Sequence, residues 1–296
     1  MKSKLLVSLL AAGSLALVGT LTAQTPAAPK LTFPQASPPA TLKQQVGITD
    51  IEVVYSRPSA KGRKIFGGLV PYGEIWRTGA NSATRISFST PVKVGGADLP
   101  AGNYELFTIP TENEWTFIFQ SLKDRPQWGT YAYDQKNDTA RATAKPVATP
   151  RPTETFAITL SDLSDNGATL NLYWENIRVP LPITIDTKGI LVPQIAAALQ
   201  EPGTPNPMML FSAAMYYYEN NLDLHKALEW INTAIAGRPG QMWMIYRKGL
   251  ILAKLGDKAG AKAAAEESLA LTEKAPAGGL RDEYMRLNQA LLERLK

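Results

Sequence analysis

The chain has 296 residues, 45% of them hydrophobic, and a formal net charge of +5. This length exceeds one average domain, and so small a charge disfavours non-specific binding of nucleic acid. The lack of cysteine excludes disulfides, thiolate metal sites and thiol nucleophiles, and a single histidine, His225, excludes the common zinc sites, which need several nitrogen or sulfur ligands. We therefore expect neither a metal nor a cofactor.

The N-terminus has the pattern of an export signal. Two lysines precede an apolar run from Leu5 to Leu21, and small or polar residues follow. This order predicts a signal peptide over residues 1–23 and a periplasmic or extracellular protein. Retention of the run as a membrane anchor is the alternative, because the run nearly reaches the ~18 residues of a spanning helix. No later stretch is apolar enough to span a membrane. Residues 24–41 are rich in Ala, Pro and Thr and predict a flexible leader.

Apolar and polar residues then alternate with period two in about eight short runs, which is typical of half-buried strands. Gly95–Gly96 and Asn166–Gly167 predict tight hairpins, because both central residues of a type I′ turn need positive φ. The last run contains Pro180 and Pro182, which favours a sheet edge. Short strands with frequent turns predict an antiparallel β-sandwich over residues 42–187.

The alternation of apolar and polar residues is weak in two parts of this region. Residues 121–153 contain an aromatic-rich run near Trp128 and fit either a strand or a loop. The mixture of Thr, Ala, Pro and Arg after Asp138 favours one edge strand.

From about Lys188 the periodicity becomes helical. Helices are predicted for 208–220, 224–236, 241–255, 258–274 and 279–295. A shift by the ~34 residues of a tetratricopeptide repeat superimposes Ala227 on Ala261 and Ala234 on Ser268. Residues 188–296 therefore predict a short tetratricopeptide-like array that binds a protein partner, with Tyr216 and Tyr217 as contact residues.

The most unusual stretch is the motif segment, residues 55–81, which combines cationic and aromatic side chains with five glycines. Guanidinium groups beside aromatic rings can hold an anion or a glycan. Its candidate ligand-binding residues are Arg57, Arg63, Tyr72, Trp76, Arg77 and Asn81. Alternatively the segment is structural and fastens a long loop over the sandwich, with Trp76 in the core.

Paired carboxylates offer a different function, the hydrolysis of polysaccharides, which needs neither histidine nor cysteine. The candidates are Glu74, Glu105, Glu112, Glu114 and Glu175. Glu105 and Glu175 fall on the polar phase of their strands, so we expect them to be surface charges.

The pieces VVYSRPSAKGRKIFGGLVPYGEIWRTGAN, LPAGNYELFTIP, NEWTFIF and NLYWENIRVPLPI resemble an exported bacterial family known as a domain of unknown function. The resemblance covers about residues 36–187 and implies an N-terminal signal and, in some members, a helical extension. It brings no activity, cofactor or catalytic residue. Binding of an anionic or glycan ligand is thus the leading expectation, with a carboxylate-dependent hydrolase and a purely structural scaffold as alternatives.

Overall fold

The computed structural model describes residues 33–122, 124–200 and 206–296, so the expected signal peptide lies outside the described residues. Strands precede helices, as predicted. The strands are β1 (Pro39–Val46), β2 (Thr49–Ser56), β3 (Thr84–Phe88), β4 (Val92–Val94), β5 (Ala97–Leu99), β6 (Gly102–Ile109), β7 (Trp115–Ser121), β8 (Asp138–Ala144), β9 (Val147–Ser164) and β10 (Gly167–Thr184). The helices are α1 (Thr187–Ala198), α2 (Pro207–Glu219), α3 (Leu224–Gly237), α4 (Met242–Leu255), α5 (Lys258–Lys274) and α6 (Gly279–Arg294).

The strands form two antiparallel sheets that enclose one core. The six-stranded sheet has the order β1-β2-β3-β6-β7-β8, and the four-stranded sheet has the order β5-β4-β10-β9. Alternate residues from both sheets, such as Val53, Leu106 and Leu172, are buried in the same hydrophobic cluster. Period-two alternation puts every second side chain on one face, so the predicted β-sandwich is confirmed.

Two strands lie where the sequence pattern is weak. β1 begins at Pro39, inside the expected leader, and pairs with β2 along its whole length. Its start is as rich in proline as the preceding coil. The sequence pattern therefore does not distinguish this strand from the leader. The edge strand expected after Asp138 is present as β8, at one edge of the six-stranded sheet.

The two predicted hairpins turn out differently. Gly95 and Gly96 have φ of 55° and 90° and join β4 to β5 as expected. The turn between β9 and β10 instead consists of Asp165 and Asn166, because Ser164 pairs with Gly167. A Cβ at Gly167 would lie 2.3 Å from Ile183 O. Close approach of backbone, not the turn conformation, therefore requires glycine there.

The last alternating run is not an edge strand. It continues β10, which has β4 on one side and β9 on the other. Pro180 and Pro182 lie between Arg178, where pairing with β9 ends, and Ile183, where pairing with β4 begins. A missing N–H is tolerated in such an interval between ladders.

A stretch that we call the cover segment, residues 124–134, hides part of the outer face of the six-stranded sheet. Phe107 and Ile118 of that face are fully buried in a second small cluster with Tyr133 of the cover segment. The rings of Phe107 and Tyr133 meet edge-on, with centroids 5.4 Å apart. The outer face of β6 and β7 is thus covered there, while that of β1, β2 and β3 stays open.

Helices α2 to α6 follow the predicted pattern, with bounds within one residue of those expected, whereas α1 was not predicted. Ala227, Ala234, Ala261 and Ser268, the small residues in 34-residue register, are all fully buried. Small side chains let neighbouring helices approach closely, as tetratricopeptide-like packing requires. No helix among the described residues is long and apolar enough to cross a membrane.

Candidate functional site

The first part of the motif segment pairs with strand β9, at the edge of the four-stranded sheet. Ser59 and Thr155 form an antiparallel bridge, and Phe156 N donates to Pro58 O at 2.8 Å. The Nε of Arg57 donates to Phe156 O at 2.9 Å. These contacts satisfy backbone groups that an open edge would leave unpaired. Arg57 therefore fastens the segment to the second sheet.

Trp76 lies in the core between the sheets and is 8% exposed. Its backbone exchanges two hydrogen bonds with Thr108 of β6, at 2.7 and 2.9 Å, and its Nε1 donates to Gly79 O at 3.0 Å. Its ring contacts four other aromatic rings, those of Phe66, Trp115, Phe156 and Trp174. Trp76 thus fills the end of the sandwich and offers no free face to a ligand.

Three other residues predicted for the ligand site lie apart from one another. Arg63 is exposed, and its guanidinium donates to Ala60 O and Ser59 O within the same segment. Tyr72 packs against the main core, where burial raises the pKa of its hydroxyl. Arg77 is half-buried, and its Nε finds no hydrogen-bond partner in the part of the chain that the structure describes.

Asn81, the last residue of the motif segment, lies in an open depression. It adopts a positive φ of 61°, which asparagine tolerates better than most residues. Its Nδ2 donates to Ser37 O at 3.3 Å and to Ser56 Oγ at 3.2 Å. The depression has a volume of about 570 Å³. We call it the Trp128 groove; its lining includes Gln35, Ser37, Pro39, Ser56, Asn81, Ser82 and Trp128.

Trp128 combines an exposed ring with a fixed backbone. Its side chain is 64% exposed, although its backbone forms an antiparallel bridge with Ser82. The residues on either side of it are hydrogen-bonded to the backbone of 81–83, at N···O distances of 2.8 and 3.1 Å. An indole that solvent can reach on an immobile backbone is a preorganised contact surface.

Glu105 of β6 holds this part of the cover segment in place through hydrogen bonds to Gln127. Its carboxylate accepts from Gln127 N at 2.6 Å and from Gln127 Nε2 at 3.1 Å, and Gln127 Oε1 in turn accepts from Ala132 N. Glu105 is 6% exposed, so the expectation of a surface charge is wrong. It does occupy the outer phase of β6, but the cover segment buries that phase.

The other carboxylates considered for hydrolysis lie on different elements. Glu175 belongs to the four-stranded sheet, where its Oε1 accepts from Ile65 N at 3.1 Å. Glu74, Glu112 and Glu114 are exposed, the last two in the turn between β6 and β7. The described lining of the Trp128 groove includes none of the five candidate carboxylates.

The tyrosines expected to contact a protein partner have different environments. Tyr217 is buried, and its ring meets that of Trp230 with centroids 4.7 Å apart. Tyr216 is half-buried and lines an apolar depression of about 290 Å³ between α1 and α2. Burial raises the pKa of the Tyr216 hydroxyl, and Asp165 and Asp186 add to the effect.

The fold and the groove define a β-sandwich protein with an open polar groove and a helical C-terminal region. Residues 37–183 match the family described as Protein of unknown function (DUF2911). The chain belongs to this family through its sandwich, as the sequence motifs indicated. Comparison with curated proteins and with solved structures found no match. The function is therefore argued from the groove itself.

Proposed function

We propose that this chain is an exported, non-enzymatic glycan-binding protein and that the Trp128 groove is its binding site. The observation that carries the proposal is the 64% exposure of Trp128 on a backbone fixed from both sides. Ligand sites are concave and are commonly lined by aromatic side chains together with a few placed polar groups. A ring that is already positioned loses little conformational entropy on binding.

The lining of the groove matches the chemistry of a sugar. Ser37, Ser56 and Ser82 contribute hydroxyl groups, and Gln35 and Asn81 contribute amides. Sugar hydroxyls both donate and accept hydrogen bonds, so they suit neutral groups of both kinds. The face of an indole offers a flat apolar surface to the C–H groups of a sugar ring.

Hydrolysis is the weaker alternative for this groove. Cleavage of a glycosidic bond needs two carboxyl groups about 5 to 9.5 Å apart across the bond. Among the described residues, the groove is lined by hydroxyl, amide, proline and indole groups. A fixed aromatic ring with neutral hydrogen-bonding groups supports binding without cleavage.

The structural and the binding interpretations of the motif segment apply to different residues. Arg57 and Trp76 make contacts that hold the segment on the sandwich, whereas Asn81 reaches the groove. Export and a protein partner on the helices complete the proposal, and they rest on the sequence patterns alone. Of the two partner-contact residues, Tyr216 is the one with an accessible ring.

The test is a glycan array probed with the full chain and with Trp128→Ala, followed by calorimetric titration of any sugar that binds. We expect saturable binding that Trp128→Ala weakens at least about tenfold, or about 1.4 kcal/mol. Leu163→Ala, which removes a 51% exposed apolar side chain from β9, is the matched control and should bind normally. Absence of saturable binding, or equal affinity in both variants, would refute the proposal.

A further inference from the structure

Two more depressions follow the Trp128 groove along strand β2. The middle one has a volume of about 290 Å³ and lies at Val54 and Arg85. It shares three lining residues with the Trp128 groove, namely Pro39, Ser56 and Ser82. The far one has a volume of about 560 Å³ and lies at Asp50 and Glu52.

The order of the depressions follows from the pairing of the strands. Asp50, Glu52, Val54 and Ser56 are successive residues on the outer phase of β2, and they form the floor from one end to the other. Six residue steps at ~3.3 Å give this floor a length of about 20 Å. Three depressions in a row along one strand form an extended path rather than isolated pits.

Neighbouring strands of the same sheet widen this floor on both sides. Lys43 pairs with Glu52 from β1, and Ser87 pairs with Glu52 from β3. One register step further out, Asn103 of β6 pairs with Ser87 and also lines the far depression. Just before β1, Ser37 lines the Trp128 groove. The path is therefore flanked on both sides by strands of the same sheet.

The charges along the path favour a neutral occupant. Glu52 accepts from Lys43 Nζ at 3.0 Å and from Arg85 Nη2 at 2.6 Å, which compensates its charge. The hydrogen bond from Lys43 and the charges of both cations hold the pKa of Glu52 below its usual value. Asp50, which is exposed, adds a further negative charge to the floor. Lys43, Arg85, Glu52 and Asp50 together carry no net charge, which favours a neutral ligand whose hydroxyl groups can bond to both signs of charge.

We propose that the three depressions are consecutive subsites of one groove that binds a linear, neutral polysaccharide in an extended conformation. This inference rests on the proposed glycan binding and adds the length and charge of the ligand. The Trp128 groove holds one end of the bound segment by stacking. The hydroxyl and amide groups around Ser87 and Asn103 hold the other end by hydrogen bonds.

The test is calorimetric titration of the full chain with cello-oligosaccharides and chito-oligosaccharides from the disaccharide to the hexasaccharide. We expect affinity to rise at least tenfold along one series. Asn103→Ala, at the far end, should weaken hexasaccharide binding several-fold and leave disaccharide binding unchanged. Thr159→Ala, an exposed position on the other sheet, is the control and should change neither.

The outcomes separate this inference from the proposed function. Equal affinity for short and long sugars, or a hexasaccharide affinity insensitive to Asn103→Ala, would overturn the extended groove and leave a single sugar site at Trp128. Tighter binding of polygalacturonate than of any neutral oligosaccharide would overturn the neutral ligand. If no oligosaccharide binds and the glycan array also shows no binding, both proposals are refuted.

Discussion

At the scale of single residues, Trp76 and Trp128 show how one residue type serves two purposes in this protein. Trp76 is 8% exposed and contacts aromatic rings of both sheets, whereas Trp128 is 64% exposed at the edge of the groove. Burial of a ring stabilises the fold, and exposure of a positioned ring leaves it available to a ligand.

This contrast predicts that substitution by alanine has a large effect on stability at Trp76 and a small one at Trp128. Trp76→Ala should lower the free energy of unfolding by about 3 to 5 kcal/mol, since it removes a buried ring and leaves a cavity. Trp128→Ala should change it by no more than about 0.5 kcal/mol. Urea unfolding followed by far-ultraviolet circular dichroism measures both. A Trp76→Ala variant as stable as the wild type would show that the motif segment does not hold the sandwich together.

The ion pairs of Glu52 predict a pH dependence. Its pKa lies below the ordinary value of 4.5 in the folded protein, mainly through the hydrogen bond from Lys43. A lowered folded pKa adds stability above the unfolded pKa, and this stability is lost as the pH falls through the folded pKa. Glu52→Gln should therefore be less stable than the wild type at neutral pH, by up to about 1 kcal/mol, and the difference should vanish in acid.

Denaturant midpoints of the two proteins, measured from neutral pH to below 4.5, check this. Molar salt should also reduce the difference, because it screens partly exposed charges. A difference that stays constant across the pH range would mean that the ion pairs of Glu52 contribute nothing to stability.

At the scale of elements, the motif segment, including its first residue Tyr55, closes part of the edge of β9. The hydroxyl of Tyr55 accepts from Ile158 N at 3.0 Å and lies 3.4 Å from Ile158 O. Pro58 and Ala60 bond to the next residues of the same edge. Over residues 154–158, an edge closed in this way cannot pair with another chain.

Tyr55→Phe tests this closure with little change in volume. It leaves Ile158 N without its acceptor in a buried position, which should cost about 1 to 3 kcal/mol. Tyr173→Phe, at a half-buried tyrosine on β10, is the control and should have a smaller effect. Chemical denaturation gives both values, and equal stabilities would contradict a structural role of the Tyr55 hydroxyl.

Alternation and helical periodicity predicted most elements, because those signals depend on each element alone. These signals predict the sandwich and the five C-terminal helices, and the glycine pair predicts the Gly95–Gly96 hairpin. The burial of Glu105 was not predictable, since its strand pattern is correct and a distant segment covers it. The sequence shows Trp128 in an aromatic-rich run, but it does not predict that the ring is exposed, because exposure of a large ring follows no periodic pattern. Asn81 was predicted as a site residue, and that assignment stays a prediction.

At the scale of the whole molecule, the groove results from incomplete coverage of one sheet face. The cover segment buries the outer side of β6 and β7, and Trp128 in its middle pairs with Ser82 just before β3, so Trp128 lines one side of the groove. The chain before β1 supplies the opposite wall. Both walls are loops held by backbone hydrogen bonds, and function is commonly found on such positioned loops.

The most direct test of the central claim is one calorimetric titration of a binding β-linked hexasaccharide into the wild type and into Trp128→Ala, with thermal unfolding of both proteins as the control. Our account predicts saturable binding to the wild type, at least about tenfold weaker binding to Trp128→Ala, and equal melting temperatures. Equal affinity for both proteins, or a loss of binding that only accompanies a loss of folding, would contradict it.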